Sequence, residues 1–311
     1  MRLESRPYAS LADLREMQAA ITSAWLSPRR PLLPQTIGDL AWWFAGAGPD
    51  ADWPARIRIW TDGTRTVGWG WFNPPASFDW FVAPLGEADE RRIRLEIVAW
   101  AGERVAMHAA SRDDAAASAV PSPELWGADG WPETDALADL GFAASGHAMT
   151  QYHQRLDRDL PGPALPAGYT LRTVAGPSEI PARVEVHRSA FAPSKMTVEK
   201  YSILVGLWPY AYDLDAVVEA PDGSFAAFTM CWLDREAGVG YFEPVGVHAD
   251  HRRRGLGKAV NTFGLRLLQA AGARDALVYS DASNAASEAL YRSVGFRPIA
   301  VHRSFARRSG G

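Results

Sequence analysis

The sequence of 311 residues contains one cysteine, Cys231, so it can form no intramolecular disulfide and no zinc site built on two or more cysteines. It has no run of 18 apolar residues, and its first 20 residues carry charges every few positions, unlike a signal peptide. Basic residues are not in excess, because 32 Lys and Arg face 36 Asp and Glu. We therefore expect a cytoplasmic protein without a membrane role, and the charge balance argues against a general nucleic-acid binder.

The chain does contain enough apolar residues to form packed cores. Hydrophobic residues make up 47% of it and charged residues 22%, and there are 13 tryptophans. This composition excludes wholesale disorder, a collagen-like repeat and a coiled coil. The length favours two domains. Residues 157–168, DRDLPGPALPAG, hold three prolines and two glycines and are typical of a linker. We predict domains at 1–156 and 169–311, joined by this linker.

The two halves share a pattern of turns and endings. Asp62-Gly63 and Asp222-Gly223 each lie between two β-like runs, which predicts a hairpin in each half. Gly141-Phe142 and Gly295-Phe296 each follow a helix-like segment, as expected for a glycine that ends a helix. We therefore predict the α/β class, as two duplicated α+β domains that each hold a mixed sheet flanked by helices. Two unrelated α+β domains are the alternative, because spacing alone does not distinguish these cases.

A basic, glycine-containing segment in the second half predicts an anion site. An apolar β-run ends at Val247 and an amphipathic helix begins near Gly255, with Arg252–Arg254 and Lys258 around the junction. Free amides at a helix N-terminus, the helix dipole and nearby arginines all attract phosphate. The segment is neither a Walker A motif nor a GxGxxG fingerprint, because it lacks the Ser or Thr of the first and the last glycine of the second. Two interpretations of the segment remain: a cradle that binds a pyrophosphate, or a solvated basic loop.

The order of motifs around this segment resembles the GNAT superfamily of N-acetyltransferases. The pattern Arg252-x-x-Gly255-x-Gly257 follows a Val-x-Val strand, and Asn284, Tyr291 and a Gly-Phe pair come after it in the order that the superfamily has. The resemblance covers about residues 169–305. Because the chain has two similar halves, it resembles the tandem-domain members of the superfamily. It implies two tandem GNAT-like domains, each a twisted mixed β-sheet flanked by helices.

The resemblance also implies acetyl-CoA as the cosubstrate. In this superfamily the strand before the cradle offers its main chain to the pantetheine arm, the cradle amides hold the pyrophosphate, and the residue that starts the last helix contacts the cofactor. For Asn284 the alternative is an ordinary N-cap. The residues so implied in cofactor binding are Val245, Gly246, Val247, Arg252, Arg253, Arg254, Gly255, Leu256, Gly257, Lys258 and Asn284.

Acyl transfer to an amine needs a base for the amine and an acid for the departing thiolate. Glu243, on the strand before the cradle, is the predicted base, with a rim carboxylate as the alternative. Tyr291 matches the superfamily's general-acid tyrosine, with a packed aromatic as the alternative. Tyr241 is the reserve base, because in several relatives the base lies two residues earlier. Pro244 predicts a bulge or a sheet edge here, since its nitrogen cannot join the ladder, and a bulge decides which face Glu243 takes.

Other residues near these motifs are predicted not to carry chemistry. His248 and His251 flank the cradle but have no third ligand nearby, so no metal is predicted. Cys231, in an apolar run, is predicted to be a buried core residue. In the first half the segment LGEADERRIRLEIVAW replaces the cradle with one glycine and several carboxylates, and Leu137 aligns with Tyr291. We therefore predict that the first domain is a degenerate copy.

These observations predict an N-acetyltransferase that moves an acetyl group directly from acetyl-CoA to a primary amine of a small molecule. The single active site is expected in the C-terminal domain. One alternative is a protein or peptide N-acetyltransferase, which would need an open groove for its substrate. Another is a non-catalytic acyl-CoA sensor, which would keep the cradle. The oligomeric state stays open.

Overall fold

The computed structural model describes residues 3–28, 35–111 and 121–307 and shows a mixed α/β protein. Its strands are β1 (Glu4–Pro7), β2 (Ile57–Thr61), β3 (Thr66–Asn73), β4 (Ser77–Val82), β5 (Glu124–Ala128), β6 (Phe142–Arg155), β7 (Thr170–Thr173), β8 (Asp215–Glu219), β9 (Phe225–Asp234), β10 (Val239–Val247), β11 (Asp275–Asp281) and β12 (Arg297–Arg307). Its α-helices are α1 (Leu11–Leu26), α2 (Ile37–Ala47), α3 (Trp53–Arg56), α4 (Glu87–Ala110), α5 (Pro132–Asp139), α6 (Ile180–Ala190), α7 (Val198–Val205), α8 (Leu256–Ala270) and α9 (Ala285–Ser293). In these described ranges, no helix is long and apolar enough to cross a membrane.

The chain forms two compact units, and neither unit is one continuous stretch of sequence. Unit 1 combines the residues up to Gln35 with Ala51–Met149 and the residues from Ala300 onward, whereas unit 2 combines Thr36–Asp50 with Thr150–Ile299. Helix α2 therefore belongs to unit 2, and most of β12 belongs to unit 1. The predicted linker at 157–168 lies wholly within unit 2. Local composition carries no sign of these exchanges, because they depend on contacts between distant parts of the chain.

In unit 1 the strands follow the order β1-β2-β3-β4-β5-β12. The Asp-Gly turn between β2 and β3 is a hairpin as predicted, and Gly63 has the positive φ of 91° that such a turn needs. Along β3, glycines alternate with tryptophans. A Cβ on Gly70 would lie 2.7 Å from the ring of Trp100 on α4, so the glycine face of β3 lets α4 approach closely. The tryptophan face is fully buried.

In unit 2 the strands follow the order β6-β11-β10-β9-β8-β7, with β10 and β11 parallel. The second predicted hairpin joins β8 to β9, and Gly223 has a φ of 85°. Strand β10 lies between β11 and β9, so Pro244 is in a central strand. The register with β9 shifts between Phe242 and Val245, which makes a bulge at the proline. The predicted bulge is thus confirmed. Strand β10 is not an edge strand of the sheet, because β11 and β9 lie on either side of it.

One apolar core in unit 2 joins the helices on either side of the predicted cradle to the sheet. It contains Leu265 of α8, Tyr291 of α9, Phe242 of β10 and Leu160 of the linker segment. Cys231 lies in the same core, as expected from its apolar run. This packing holds the body of α8 and the side chain of Tyr291 close to the bulged strand.

Candidate active site

Strands β10 and β11 separate at the centre of unit 2. Their parallel ladder ends at Phe242 and Val278. Strand β10 continues to Val247 and stays paired with β9 on its other side. Among the residues that the structure describes, the β11 side of Val245–Val247 therefore has no ladder. Exposed main-chain groups of this kind can hydrogen-bond an extended ligand as an added strand would.

The loop after β10 forms a concave run of backbone amides. Arg253 and Gly255 have positive φ values of 61° and 79°. Arg252, the residue before Arg253, has an extended backbone. Alternating backbone conformations of this kind turn successive N–H groups to one side. Gly255 is the N-cap of α8 and supplies no side-chain cap, so the amides of the first turn, including Gly257 and Lys258, have no acceptor within the helix. The junction suits an anion.

Positive charge surrounds these amides. Arg252, Arg253, Arg254 and Lys258 are exposed, and the first turn of α8 holds no acidic residue. The helix dipole adds to this attraction for anions. A Cβ on Gly257 would lie 3.4 Å from Leu290, so a glycine keeps α8 close to α9 at the cradle. All the predicted cradle residues therefore lie together at one helix start.

The predicted base, Glu243, lies at the bulge of β10, where its side chain is half-buried. The indole N–H of Trp232 on β9 donates a 2.7 Å hydrogen bond to the main-chain carbonyl of Glu243. Burial, and then the negative charge of Asp39, raise the pKa of the Glu243 carboxyl to about 8. A carboxyl with this pKa can take up and release a proton near neutral pH.

Asp39 is a residue of this site that the sequence analysis missed. Its Oδ2 accepts hydrogen bonds from the amide and hydroxyl of Thr36 at 2.7 and 2.9 Å, which caps α2. Its carboxylate also accepts a hydrogen bond from the Tyr241 hydroxyl. Burial raises the pKa of Asp39 to about 6, although these hydrogen bonds act to lower it. The local signal, Thr36-x-x-Asp39, predicts a helix start but says nothing about Tyr241.

Helix α2 is held tightly against β9 and α7 within unit 2. A Cβ on Gly38 would lie 2.3 Å from Cγ of Trp232, so only glycine fits at this position. The Lys200 ammonium of α7 donates a 2.8 Å hydrogen bond to the carbonyl of Gly46 at the other end of α2. The helix that carries Asp39 therefore also packs on the tryptophan that holds the Glu243 main chain.

Two buried tyrosines near Glu243 have different partners. Tyr241 donates to Asp39, and burial raises the pKa of its phenol well above the usual value. Tyr291 contacts the ring of Tyr152 at 5.6 Å between centroids. Burial, and then the charge of Glu243, raise the pKa of Tyr291 above its usual range. Both phenols therefore keep their protons at neutral pH. This leaves Tyr291 as a hydrogen-bond donor beside the strand and does not suit a base role for Tyr241.

Asn284 has the alternative role that the sequence analysis kept open. It is the N-cap of α9, and its side-chain oxygen accepts a 3.0 Å hydrogen bond from the amide of Ser287. This bond occupies the oxygen and leaves the amide group of the side chain for other contacts. A contact between Asn284 and the cofactor stays a prediction.

The histidines beside the cradle have structural partners. His251 Nδ1 lies 2.9 Å from the hydroxyl of Tyr169, and His248 caps the short 3-10 turn Ala249–His251. No group of three His, Cys, Asp or Glu in the described ranges could hold a metal ion. Burial raises the pKa of the Cys231 thiol, which disfavours the thiolate form that a nucleophile needs.

In unit 1, the helix that follows strand β4 begins differently from α8 in unit 2. Helix α4 begins with acidic residues in its first turn. Glu90 accepts hydrogen bonds from the amide of Leu85 at 2.9 Å and from the guanidinium of Arg94 at 2.8 Å. The protein's own carboxylate thus occupies the place of an anion. Leu137, which aligns with Tyr291, is fully buried and apolar. These features support the prediction of a degenerate first copy.

Residues 196–296 match the model of the acetyltransferase (GNAT) family. This range includes the bulged strand, the cradle and Tyr291. These residues of the chain are therefore a GNAT acetyltransferase domain.

Similar proteins cover more of the chain than this family model does. The chain is 25% identical over 261 residues to a mycothiol acetyltransferase of Streptomyces coelicolor. The matched region covers 80% of this chain and 78% of that protein. It is 33% identical over 147 residues to a mycothiol acetyltransferase of Beutenbergia cavernae, covering 45% of this chain and 49% of that protein. A tandem GNAT protein from the clavulanic acid biosynthesis pathway matches over 100% of both chains, with a TM-score of 0.64 and 17% identity. This last similarity concerns the fold, and it confirms the tandem architecture.

Proposed function

We propose that this protein transfers an acetyl group from acetyl-CoA to a primary amine of a small molecule, at one site in unit 2. The observation that carries the proposal is a combination within that unit. An open strand segment leads into an uncapped helix start. The Glu243 carboxyl lies on the same strand, and its charge raises the pKa of the Tyr291 phenol. An acyl-CoA thioester and an amine need each of these parts.

The residues present fit acetyl-CoA. The unpaired side of Val245–Val247 offers main-chain groups to the amides of the pantetheine arm. The amides of Gly255–Lys258, with the arginines before them, suit the pyrophosphate. When bound, acetyl-CoA supplies the acetyl thioester. Every other step is carried by side chains of unit 2.

Glu243 is the proposed base. An alkylamine has a pKa of about 10 and reaches the site as an ammonium ion, which must lose a proton before it can attack a carbonyl. The carboxyls of Glu243 and Asp39 attract this ion. With a pKa of about 8, Glu243 is a stronger base than an ordinary carboxylate and takes the proton at a smaller cost. Tyr241 is held as a hydrogen-bond donor to Asp39, which favours Glu243 over the reserve base.

Tyr291 is the proposed acid. Its phenol stays protonated because burial and the neighbouring charge of Glu243 both disfavour the phenolate. Tyr291 therefore holds a proton at its hydroxyl oxygen for the departing sulfur. Return of a proton from Glu243 to solvent, and of one from solvent to Tyr291, restores the site after each turnover.

The surroundings of Glu243 favour a cationic, small acceptor. Two carboxyls lie in a buried region with the rings of Trp232, Tyr241 and Tyr279, and such ring faces stabilise an ammonium ion. The name of the relatives, mycothiol acetyltransferase, also supports a small-molecule acceptor. At 25% and 33% identity, however, we do not transfer their particular acceptor to this chain.

The test separates a catalyst from a binding protein. Glu243→Gln and Tyr291→Phe should each lower kcat about 100-fold or more, with little change in acetyl-CoA affinity by calorimetry. Gly257→Glu should abolish binding, because it places a negative charge in the cradle. Glu236→Gln, in the exposed β9–β10 turn, is the matched control and should change neither quantity. Full activity in the first two variants would contradict the assigned roles, and binding of acetyl-CoA without transfer to any amine would favour the sensor.

A further inference from the structure

Trp232 on β9 is hydrogen-bonded to the main chain of the proposed base. Its indole N–H donates a 2.7 Å hydrogen bond to the carbonyl oxygen of Glu243. The tryptophan is 1% exposed, so its ring is shielded from water. A hydrogen bond in such surroundings is stronger than one in solvent, because the local dielectric constant is low. A buried side chain thus holds the backbone of the residue that carries the carboxyl.

In the described part of β10, the ladder of main-chain hydrogen bonds is interrupted at this same residue. Phe242 pairs with Cys231 and Val245 pairs with Thr229, so the register gives Glu243 no partner residue on β9. On the other side of β10, the ladder with β11 ends at Phe242. The residue that follows Glu243 is a proline, which has no N–H to donate. The indole of Trp232 therefore takes the place of a ladder hydrogen bond at the Glu243 carbonyl.

The bulge in β10 decides where the Glu243 carboxyl points. Side chains alternate between the two faces of a strand, and an extra residue in one strand re-aims the side chains beside it. A small change in the backbone at Glu243 therefore displaces the carboxyl, which lies at the end of a flexible side chain. Misplacing a reacting group by about 1 Å can lower a rate by about 100-fold. The rate of proton transfer thus depends on what holds this bulge.

Two neighbours restrict the Trp232 ring. A Cβ on Gly38 of α2 would lie 2.3 Å from Cγ of Trp232, so the helix backbone lies directly against the ring. Tyr210 contacts the ring edge-on, with 6.3 Å between the centroids. The Tyr210 hydroxyl in turn donates a 3.1 Å hydrogen bond to Asp215, a fully buried carboxylate that also accepts from Arg183 at 2.9 Å. This close packing leaves the ring little room to move, so its N–H stays directed at one carbonyl.

We propose that Trp232 is a positioning residue for the transfer reaction, and that its indole N–H fixes the bulge and so keeps the Glu243 carboxyl where the acceptor amine gives up its proton. An aromatic ring without a donor would also pack between Gly38 and Tyr210, so packing alone does not account for the N–H. Trp232 takes up no proton itself, because an indole N–H only donates a hydrogen bond. The inference rests on the proposed function, since it requires Glu243 to be the base.

The experiment compares Trp232→Phe with Trp69→Phe in the full-length protein. Trp232→Phe keeps an aromatic ring and removes the N–H. We expect it to lower kcat about tenfold, the effect of one hydrogen bond, with unchanged acetyl-CoA affinity by calorimetry. Trp69 on β3 is also fully buried, and its indole nitrogen has no hydrogen-bond partner among the described residues. Trp69→Phe is therefore the matched control for a smaller ring in a buried strand, and it should keep the wild-type kcat.

A double variant separates positioning from a general effect on folding. If Trp232 acts only through the Glu243 carboxyl, Trp232→Phe should have no further effect on kcat in the Glu243→Gln background. Partial unfolding would instead lower kcat by the same factor in both backgrounds. Wild-type kcat in Trp232→Phe, or an equal loss in both backgrounds, would overturn the inference and leave Glu243 as the base. Full activity of Glu243→Gln alone would contradict the proposed base itself.

A second variant displaces the Trp232 ring without removing it. Gly38→Ala places a methyl group against the ring and should also lower kcat in the wild type but not in the Glu243→Gln background. Gly46→Ala, on the same helix with nothing within 4 Å of the added carbon, is its matched control and should keep the wild-type kcat. A lower unfolding midpoint in Gly38→Ala with unchanged kcat would overturn the inference, even if Trp232→Phe does not fold.

Discussion

Replacing Glu243 by glutamine is expected to stabilise the protein in alkaline solution while it removes activity. Burial and the charge of Asp39 raise the pKa of this carboxyl from 4.5 to about 8 in the folded state. Between these two values the folded state holds a proton that the unfolded state releases, so the free energy of unfolding falls as the pH rises through this window. Below pH 4.5 the Glu243 carboxyl is protonated in both the folded and the unfolded state, so it no longer lowers the free energy of unfolding.

The size of the effect follows from the pKa difference and the burial. Fully expressed, the rise from 4.5 to about 8 corresponds to about 5 kcal/mol lost above pH 8. Because water reaches part of the Glu243 side chain, solvent screens part of this cost. We therefore expect Glu243→Gln to gain about 1–2 kcal/mol at pH 8.5 and close to nothing at pH 4.5.

The assay is chemical unfolding followed by tryptophan fluorescence at several values of pH from 4.5 to 8.5. The exposed control Glu236→Gln should follow the wild type at every pH. Equal pH dependence of the wild type and Glu243→Gln would refute the reasoning, because it would mean that folding does not perturb this carboxyl. A variant less stable than the wild type at pH 8.5 would refute it as well.

Three further predictions follow from the same site. Asp39→Asn removes a negative charge beside the base and should move the rising limb of the kcat/KM profile, near pH 8 in the wild type, to lower pH by about half a unit to one unit; an unmoved limb contradicts the coupling. Gly38→Ala should cost about 1–3 kcal/mol in unfolding experiments because its Cβ would meet Trp232 at 2.3 Å, whereas Gly46→Ala on the same helix, with open space around it, should cost nothing. Calorimetry should find one acetyl-CoA per chain, and two would contradict a degenerate unit 1.

The strand, cradle and helix of the second half could be predicted because their signals are local. Glycine at a helix start, proline in a strand and alternating apolar residues each constrain the backbone within a few residues. The bulge at Pro244 is an example, since the missing N–H of proline must be accommodated wherever the strand lies. The two Asp-Gly hairpins are another, because positive φ is needed in any context.

The place of Asp39 could not be predicted in this way. Its capping pattern with Thr36 is satisfied within α2, so nothing local indicates that Tyr241, some 200 residues later, donates to it. The exchange of α2 and β12 between the units is hidden for the same reason. Nothing local in the sequence of β12 indicates that β5 is its partner.

The most direct test of the central claim is whether an amine triggers release of free thiol from acetyl-CoA by the purified protein. The assay uses a panel of small primary amines and peptides, with Glu243→Gln as the matched inactive variant. The proposed function predicts thiol release with at least one small amine, an acceptor mass raised by one acetyl group, and loss of both in the variant. Binding of acetyl-CoA without release by any amine, or equal release by the variant, would contradict it.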